Sequence, residues 1–180
     1  IPIACVGVIS KVNQMFMAIC IGISQGSQPI WGFNYGAKKY DRVRQAYRYS
    51  VTACTVIATI FFFCFQIFPH QIVGIFGTGS DLYFQFAERY LKIFMFMTFV
   101  NGIQPVSSSF FTSIGMAKLG IVMSLTRQVI FLLPLIIIFP LFMGIDGVMY
   151  AGPIADAAAF ALAIVFARRE LGKMRSAEIA

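Results

Sequence analysis

Residues 119–142 read LGIVMSLTRQVIFLLPLIIIFPLF. This run carries a single charge, Arg127, and exceeds the ~20 residues that cross a bilayer as a helix. Four more segments are apolar over a comparable length, although the third along the chain is less so. They are Ile1 to Gln25, Tyr49 to Phe68, Phe84 to Thr112 and Val148 to Ala167. The pattern predicts an all-α protein, a polytopic transmembrane helix bundle with five spans.

The overall composition agrees with a lipid bilayer as the surrounding solvent. Hydrophobic residues make up 59% of the 180 residues, charged residues only 12%, and the mean hydropathy is +0.81. Soluble domains carry about a quarter charged residues. The net charge of +7 does not indicate nucleic-acid binding, because the basic residues lie in short gaps between apolar runs. The four cysteines lie within apolar runs without a C-x-x-C pair, which predicts small buried side chains and no metal site.

The distribution of positive charge predicts the orientation of the spans. Ten of the fourteen Lys and Arg residues fall on one side if the spans alternate. They are Lys38, Lys39, Arg42, Arg44, Arg48, Lys118, Arg168, Arg169, Lys173 and Arg175. The positive-inside rule makes that side cytoplasmic. We therefore expect a multi-pass protein of the cell membrane whose loop 26–48 and C-terminus are cytoplasmic.

The stretch QGSQPIWGFNYGAKKYDRVR, residues 25–44, connects the first two spans. Its residues predict a helix that ends at Gln28-Pro29, a tight turn through Asn34 and Gly36, and an amphipathic restart. Trp31 and Tyr35 suit the headgroup layer. An ordinary cytoplasmic loop is the alternative interpretation.

Three stretches resemble the multidrug and toxic compound extrusion (MATE) family. The run GSQPIWGFNYGAKKYDRV, residues 26–43, resembles the loop that joins the eighth and ninth helices of that family. The run IVGIFGTGSDLYFQFAERYLKIF, residues 72–94, is similar to the stretch that leads into its tenth helix. The run YAGPIADAAAFALAIVFARREL, residues 150–171, is similar to its twelfth helix. The family loop motif then comprises Gln28, Pro29, Asn34, Tyr35 and Gly36.

This resemblance implies that the five spans are helices eight to twelve of a twelve-helix, two-lobe transporter. Residues 1–180 would form a partial second (C-terminal) lobe, and an N-terminal lobe would be the missing partner. The start at Ile1-Pro2 inside an apolar run predicts a piece of a longer protein. The implied function is secondary active multidrug efflux: an antiporter exports small organic, drug-like, cationic compounds in exchange for H⁺ or Na⁺ and uses no cofactor. The alternatives are a lipid-linked oligosaccharide flippase of the same superfamily and a non-transporting membrane subunit.

Charged residues inside spans are the first candidates for a functional site, because each costs roughly 2.5–3.5 kcal/mol at the bilayer centre. Asp156 lies twelve residues before Arg168, or ~18 Å from the inner edge, and Lys11 lies at mid to outer depth. We predict that the two meet, either as a cation-responsive pair or as a structural lock between helices. Arg127 is predicted to snorkel to the inner interface.

Polar residues along the third span are the second group of candidates. Asn101 and Gln104 lie in a serine-rich stretch that Pro105 is expected to kink. This stretch predicts either a cavity wall or helix packing through small polar residues. Members of the resembled family often use an acid in the middle of this helix, and the sequence has none between Arg89 and Ala117. The candidate substrate and ion pathway residues are Lys11, Asn13, Asn101, Gln104, Arg127 and Asp156.

An enzymatic function is not predicted. The run Gly22 to Gly26 fits G-x-S-x-G but lies at a membrane helix end, a context that favours close helix packing over a hydrolase nucleophile. The single histidine, His70, lies at the other side of the predicted bilayer, about 30 Å away. No catalytic residues are therefore assigned.

Overall fold

The computed structural model describes residues 2–76 and 81–179, and within them the protein is helical and has no β-strand. The helices are α1 (Pro2–Gly36), α2 (Tyr40–Ile67), α3 (Pro69–Phe76), α4 (Asp81–Phe94), α5 (Thr98–Asn101), α6 (Ile103–Ser113), α7 (Ala117–Leu125), α8 (Leu133–Met143) and α9 (Ile145–Ile179). A π-helical stretch, Thr126–Leu132, joins α7 to α8 and is called the π segment below. The predicted all-α bundle is confirmed.

Four of the five predicted spans are continuous helical stretches long and apolar enough to cross a membrane. They are Cys5–Gly36, Tyr40–Ile67, Ala117–Met143 and Asp146–Ala177.

The third predicted span is instead broken into α4, α5 and α6 by a turn at residues 95–97 and a second break at Gly102. Pro105 explains the second break, since in one continuous helix it would leave the Asn101 carbonyl without its donor. Starting α6 at Ile103 places Pro105 in the first turn, where no donor is needed. Asn101 and Gly102 are buried, which is where irregular backbone is tolerated at membrane depth.

The connection between the first two spans differs from the sequence prediction. The prediction that Gln28-Pro29 closes the first helix is wrong, because α1 continues through Pro29 to Gly36. Asn34 does not turn the chain but donates from its side-chain Nδ2 to the Ile30 carbonyl within the helix, at 2.8 Å. The loop predicted at residues 26–48 is therefore reduced to residues 37–39, and helix occupies both flanks.

The end of α1 is a Schellman motif centred on a lysine. The Lys39 N–H donates to the Asn34 carbonyl at 2.9 Å, and the Lys38 N–H donates to the Tyr35 carbonyl at 3.0 Å. Lys38 has φ of 57°, the left-handed conformation that glycine normally supplies at this position. Gly36 is helical, so the prediction that Gly36 makes the turn is wrong by two residues.

Three groups of buried apolar side chains form the core, and the third is small, with Cys5, Val73 and Ala87. The first surrounds Trp31, which is fully buried and meets Phe110 edge-on at 5.5 Å between ring centroids. Trp31 is therefore covered by α6 and does not present its ring to the surface of the described bundle. The second group includes Phe65, Leu91 and Met149 and joins α2, α4 and α9.

The most exposed apolar surface lies on α8. Leu141 and Phe142 are 77% and 83% exposed, and none of the described α8 side chains is buried. Such a face is suited to contact with lipid or with another part of a larger protein. By contrast, α9 contacts α2, α4, α5, α6, α7, α8 and the π segment, so it is the central helix of the described bundle.

Three of the four cysteines confirm the prediction of burial, but Cys64 is exposed on α2. Among the residues described, no group of three or more His, Cys, Asp or Glu side chains could hold a metal ion.

Candidate functional site

A buried carboxylate on α9 lies at the junction of three helical elements. Asp156 is 6% exposed, and its Oδ1 accepts a hydrogen bond from the Nε of Arg127 on the π segment, at 2.7 Å. Its Oδ2 accepts from the Nδ2 of Asn101, the last residue of α5, at 3.0 Å. Both carboxylate oxygens are thus engaged, and the negative charge is matched by one guanidinium. We call these three residues the Asp156 cluster.

The sequence of α9 makes room for this approach. Small residues flank Asp156, and Ala155 and Ala159 are buried against neighbouring helices. Gly152 lies one turn earlier, where a Cβ would come within 2.5 Å of the Phe94 ring. Pro153 is inside the helix and removes one backbone hydrogen bond just before Asp156. These residues let α4 and α5 pack closely on α9 at the depth of the carboxylate.

Arg127 reaches Asp156 from an irregular part of its own span. The π segment begins one residue earlier, and the Thr126 Oγ1 donates to the Val122 carbonyl at 2.5 Å. A π-helical turn holds one more residue than an α-turn, and such turns are frequent at functional sites. The Arg127 side chain is only 12% exposed, and among the described residues only its Nε has a hydrogen-bond partner.

The polar residues of the third span divide into two groups. Asn101 belongs to the Asp156 cluster, whereas Gln104 donates to the Met123 carbonyl at 3.0 Å and ties α6 to α7. Ser107 shares a 2.8 Å hydrogen bond with the Tyr47 hydroxyl, and Ser108 donates to the Gly120 carbonyl at 2.8 Å. Of the two interpretations of this stretch, helix packing therefore describes these three side chains.

Two predictions for the charged residues inside the spans, the partner of Asp156 and the direction of the Arg127 side chain, are wrong. Asp156 pairs with Arg127 and not with Lys11, which is exposed on α1. Within residues 2–76 and 81–179, α1 and α9 are not in contact, so Lys11 on α1 is not placed to pair with Asp156 on α9. Arg127 does not snorkel to the inner interface, because the carboxylate offers it a partner at its own depth. Asn13 is half-buried on α1, away from the Asp156 cluster.

Two further contacts between polar side chains near the third span lie at its predicted outer end and are more exposed. His70 Nδ1 lies 2.6 Å from Glu88 Oε1, and Arg89 lies 3.6 Å from Asp146. Glu88 thus has a partner at the rim and does not join the Asp156 cluster.

Comparison of the sequence with models of protein families identifies the family to which the chain belongs. The MatE family model matches residues 1–144. The chain belongs to the MATE family.

Similar proteins place the chain within this family. It is 25% identical over 170 residues to the multidrug export protein MepA of Staphylococcus aureus strain MSSA476, covering 93% of this chain and 37% of that protein. Over 91% of its length it is 34% identical, with a TM-score of 0.84, to the solved structure of the MATE multidrug transporter DinF-BH, and it covers 36% of that chain. Another MATE structure, in the bent conformation, superimposes over 98% of the chain with a TM-score of 0.89 at 14% identity. The chain spans 37% of the length of the MepA relatives it matches.

Family membership confirms the resemblance to the MATE family. The match to the family model covers two of the three resembling stretches, residues 26–43 and 72–94, and residues 77–80 lie outside the described residues. Family membership also establishes the chain as a multi-pass membrane protein of a transporter family rather than an enzyme. Sequence reasoning selected all three residues of the Asp156 cluster as candidates but did not predict that they pair with one another. The usable signal was that Arg127 is the one opposite charge in residues 119–142, at a similar depth from the same side.

Proposed function

We propose that this chain forms part of the second lobe of a secondary active multidrug exporter. Small organic, cationic compounds leave the cell, and H⁺ or Na⁺ enters in exchange. The names of the related MepA and DinF-BH proteins support the drug-export part of this proposal. An N-terminal lobe completes the transport path, which agrees with the greater length of these relatives.

The Asp156 cluster is the observation that carries the proposal. A buried carboxylate that holds Arg127 can instead take up a proton or a sodium ion, and the two states favour different positions of the guanidinium. A cation that binds only when the ion pair is open shifts the population toward the open state. The π segment on one side and the break after Asn101 on the other are the elements that can move, since neither is a continuous α-helix.

The location of the carboxylate gives further support. The family resemblance implies an acid in the middle of the tenth helix, and this chain has none between Arg89 and Ala117. Asp156 reaches the same span from α9, with its Oδ2 3.0 Å from the Nδ2 of Asn101. We infer that Asp156 takes the place of the missing acid in space, although another helix supplies it.

Transport measurements on the full-length protein in vesicles test the proposal. Asp156→Asn is expected to abolish ion-driven efflux across a panel of organic cations, while Asp146→Asn, in an exposed pair, leaves efflux unchanged. The double variant Asp156→Asn with Arg127→Gln removes both charges of the buried pair, so no unpaired charge remains. It therefore distinguishes a loss of transport caused by instability from a loss caused by absent ion coupling. If the double variant folds normally and remains inactive, the Asp156–Arg127 pair is required for coupling beyond its contribution to stability. Full efflux by Asp156→Asn or by the double variant contradicts the proposal.

The membrane orientation is part of the same proposal. The protein lies in the cell membrane with the α1–α2 connection and the C-terminus in the cytoplasm. The basic residues of both segments support this orientation through the positive-inside rule.

A further inference from the structure

Four arginines from two helices converge on one cavity at the end of the bundle that the charge pattern places inside the cell. The cavity has a volume of about 810 Å³ and opens between the N-terminal part of α2 and the C-terminal part of α9. Its charged lining residues are Arg44, Arg48, Arg168, Arg175 and Asp41. We call this cavity the arginine basin.

The helix periodicity explains the convergence. Arg44 and Arg48 are four residues apart on one face of α2, and Arg168 and Arg175 are seven residues apart on one face of α9. Gly172 lies between the two α9 arginines, and a Cβ built there meets no atom within 4 Å. Gly172 also lines the cavity, so the missing side chain leaves this part of the cavity open.

The charge in the basin is not neutralised within the described part of the chain. Asp41 is engaged by Arg44, at 3.1 Å between Oδ1 and Nη2. Arg48, Arg168 and Arg175 have no ion-pair partner among the described residues, and Glu170, close to Arg168 in sequence, is paired with Lys173. Three guanidinium groups that face one cavity form a site for an anion with several oxygen acceptors, such as a phosphate group.

The depth of the basin indicates which phosphate it takes. Arg48 directly precedes the second apolar run, and Arg168 directly follows the fifth, so both lie at the predicted membrane boundary. Val51 and Leu171 add an apolar side to the cavity next to the arginines. A basic pocket between helices at the cytoplasmic surface is suited to the headgroup of an anionic lipid.

We propose that the arginine basin binds the phosphate headgroup of an anionic phospholipid from the inner leaflet. The bound lipid bridges α2 and α9 and stabilises the folded bundle. This inference uses the predicted orientation but does not depend on the proposed transport activity.

The test is thermal unfolding of the full-length protein in neutral detergent, titrated separately with phosphatidylglycerol, phosphatidylcholine and inorganic phosphate. Phosphatidylglycerol is expected to raise the melting temperature. Phosphatidylcholine and inorganic phosphate, each at the same concentration, are not expected to raise it. Arg168→Gln should weaken the apparent affinity for phosphatidylglycerol about five-fold, the effect of one basic residue near a membrane surface. Arg169→Gln is the matched control, since it removes the same charge from the adjacent position, outside the basin.

Three results would overturn the proposal. Equal loss of affinity in Arg168→Gln and Arg169→Gln would indicate general electrostatic adsorption. An equal shift with inorganic phosphate would indicate a soluble anion as the ligand. No shift of the unsubstituted protein with phosphatidylglycerol would indicate that the basin holds no lipid or is occupied by another part of the protein. If Arg168→Gln does not fold, Gly172→Glu places a carboxylate in the open space and should remove the phosphatidylglycerol response by itself.

Discussion

Neutralising Asp156 while Arg127 remains is predicted to lower the stability of the folded protein strongly. The ion pair is 2.7 Å long, and the two side chains are 5% and 12% exposed. Removing one partner of such a pair leaves an uncompensated charge in a low-dielectric interior, at a cost of about 3–5 kcal/mol. Asp156→Asn should fall at the low end of this range, because the Asn oxygen can still accept a hydrogen bond from Arg127.

A double-mutant cycle distinguishes this mechanism from simple loss of packing. Asp156→Asn and Arg127→Gln should each destabilise the protein, whereas the double variant should recover a large part of the loss because no buried charge remains unpaired. The free energy of unfolding, measured by titration with a denaturing detergent, is the appropriate quantity. It is to be measured on the full-length protein for all four members of the cycle.

The exposed pair Arg89–Asp146 provides the control cycle. Its atoms are 3.6 Å apart and its side chains are 62% and 45% exposed, so solvent screening limits its contribution to about 0–1 kcal/mol. The argument that the two buried charges stabilise each other would be refuted by strictly additive losses in the free energy of unfolding for Asp156→Asn and Arg127→Gln. A coupling energy no larger than in the control cycle would refute it as well.

Three further predictions concern the backbone and the topology. Lys38→Gly should raise the free energy of unfolding by about 1 kcal/mol because it removes the left-handed strain of a side chain at φ 57°, whereas Lys39→Gly, at φ −86°, should not. Gly147→Ala should lower the free energy of unfolding by about 1–3 kcal/mol, since the new Cβ would lie 2.5 Å from the Phe139 backbone. The control Gly172→Ala should be neutral or stabilising, because a Cβ there meets no atom within 4 Å. Equal effects of the two substitutions would contradict the close approach of α8 and α9. In a cysteine-free background in intact cells, a cysteine at Gln71 should react with a membrane-impermeant thiol reagent and one at Lys39 should not, and the reverse pattern would overturn the orientation.

Much of the fold was accessible from local sequence because each span must satisfy its backbone hydrogen bonds within lipid. The apolar run at residues 119–142 predicts a membrane helix whatever lies around it. The α1–α2 connection was mispredicted because Pro29 and Gly36 are frequent at helix ends, yet α1 continues through both. The stop at Lys38 depends on a backbone conformation that a lysine seldom adopts, and no sequence rule assigns it there.

The sequence by itself determined four of the five spans and their apolar character, the charge asymmetry, the family, and the choice of Asp156 as a residue of interest. These properties follow from composition and spacing along one chain, which the bilayer converts directly into helices. Only the tertiary structure decided which helices are neighbours, and with them the partner of Asp156. Charges on different helices can be matched in several ways at similar depth, and the packing of α9 against the π segment and α5, rather than against α1, selects Arg127 and Asn101 over Lys11.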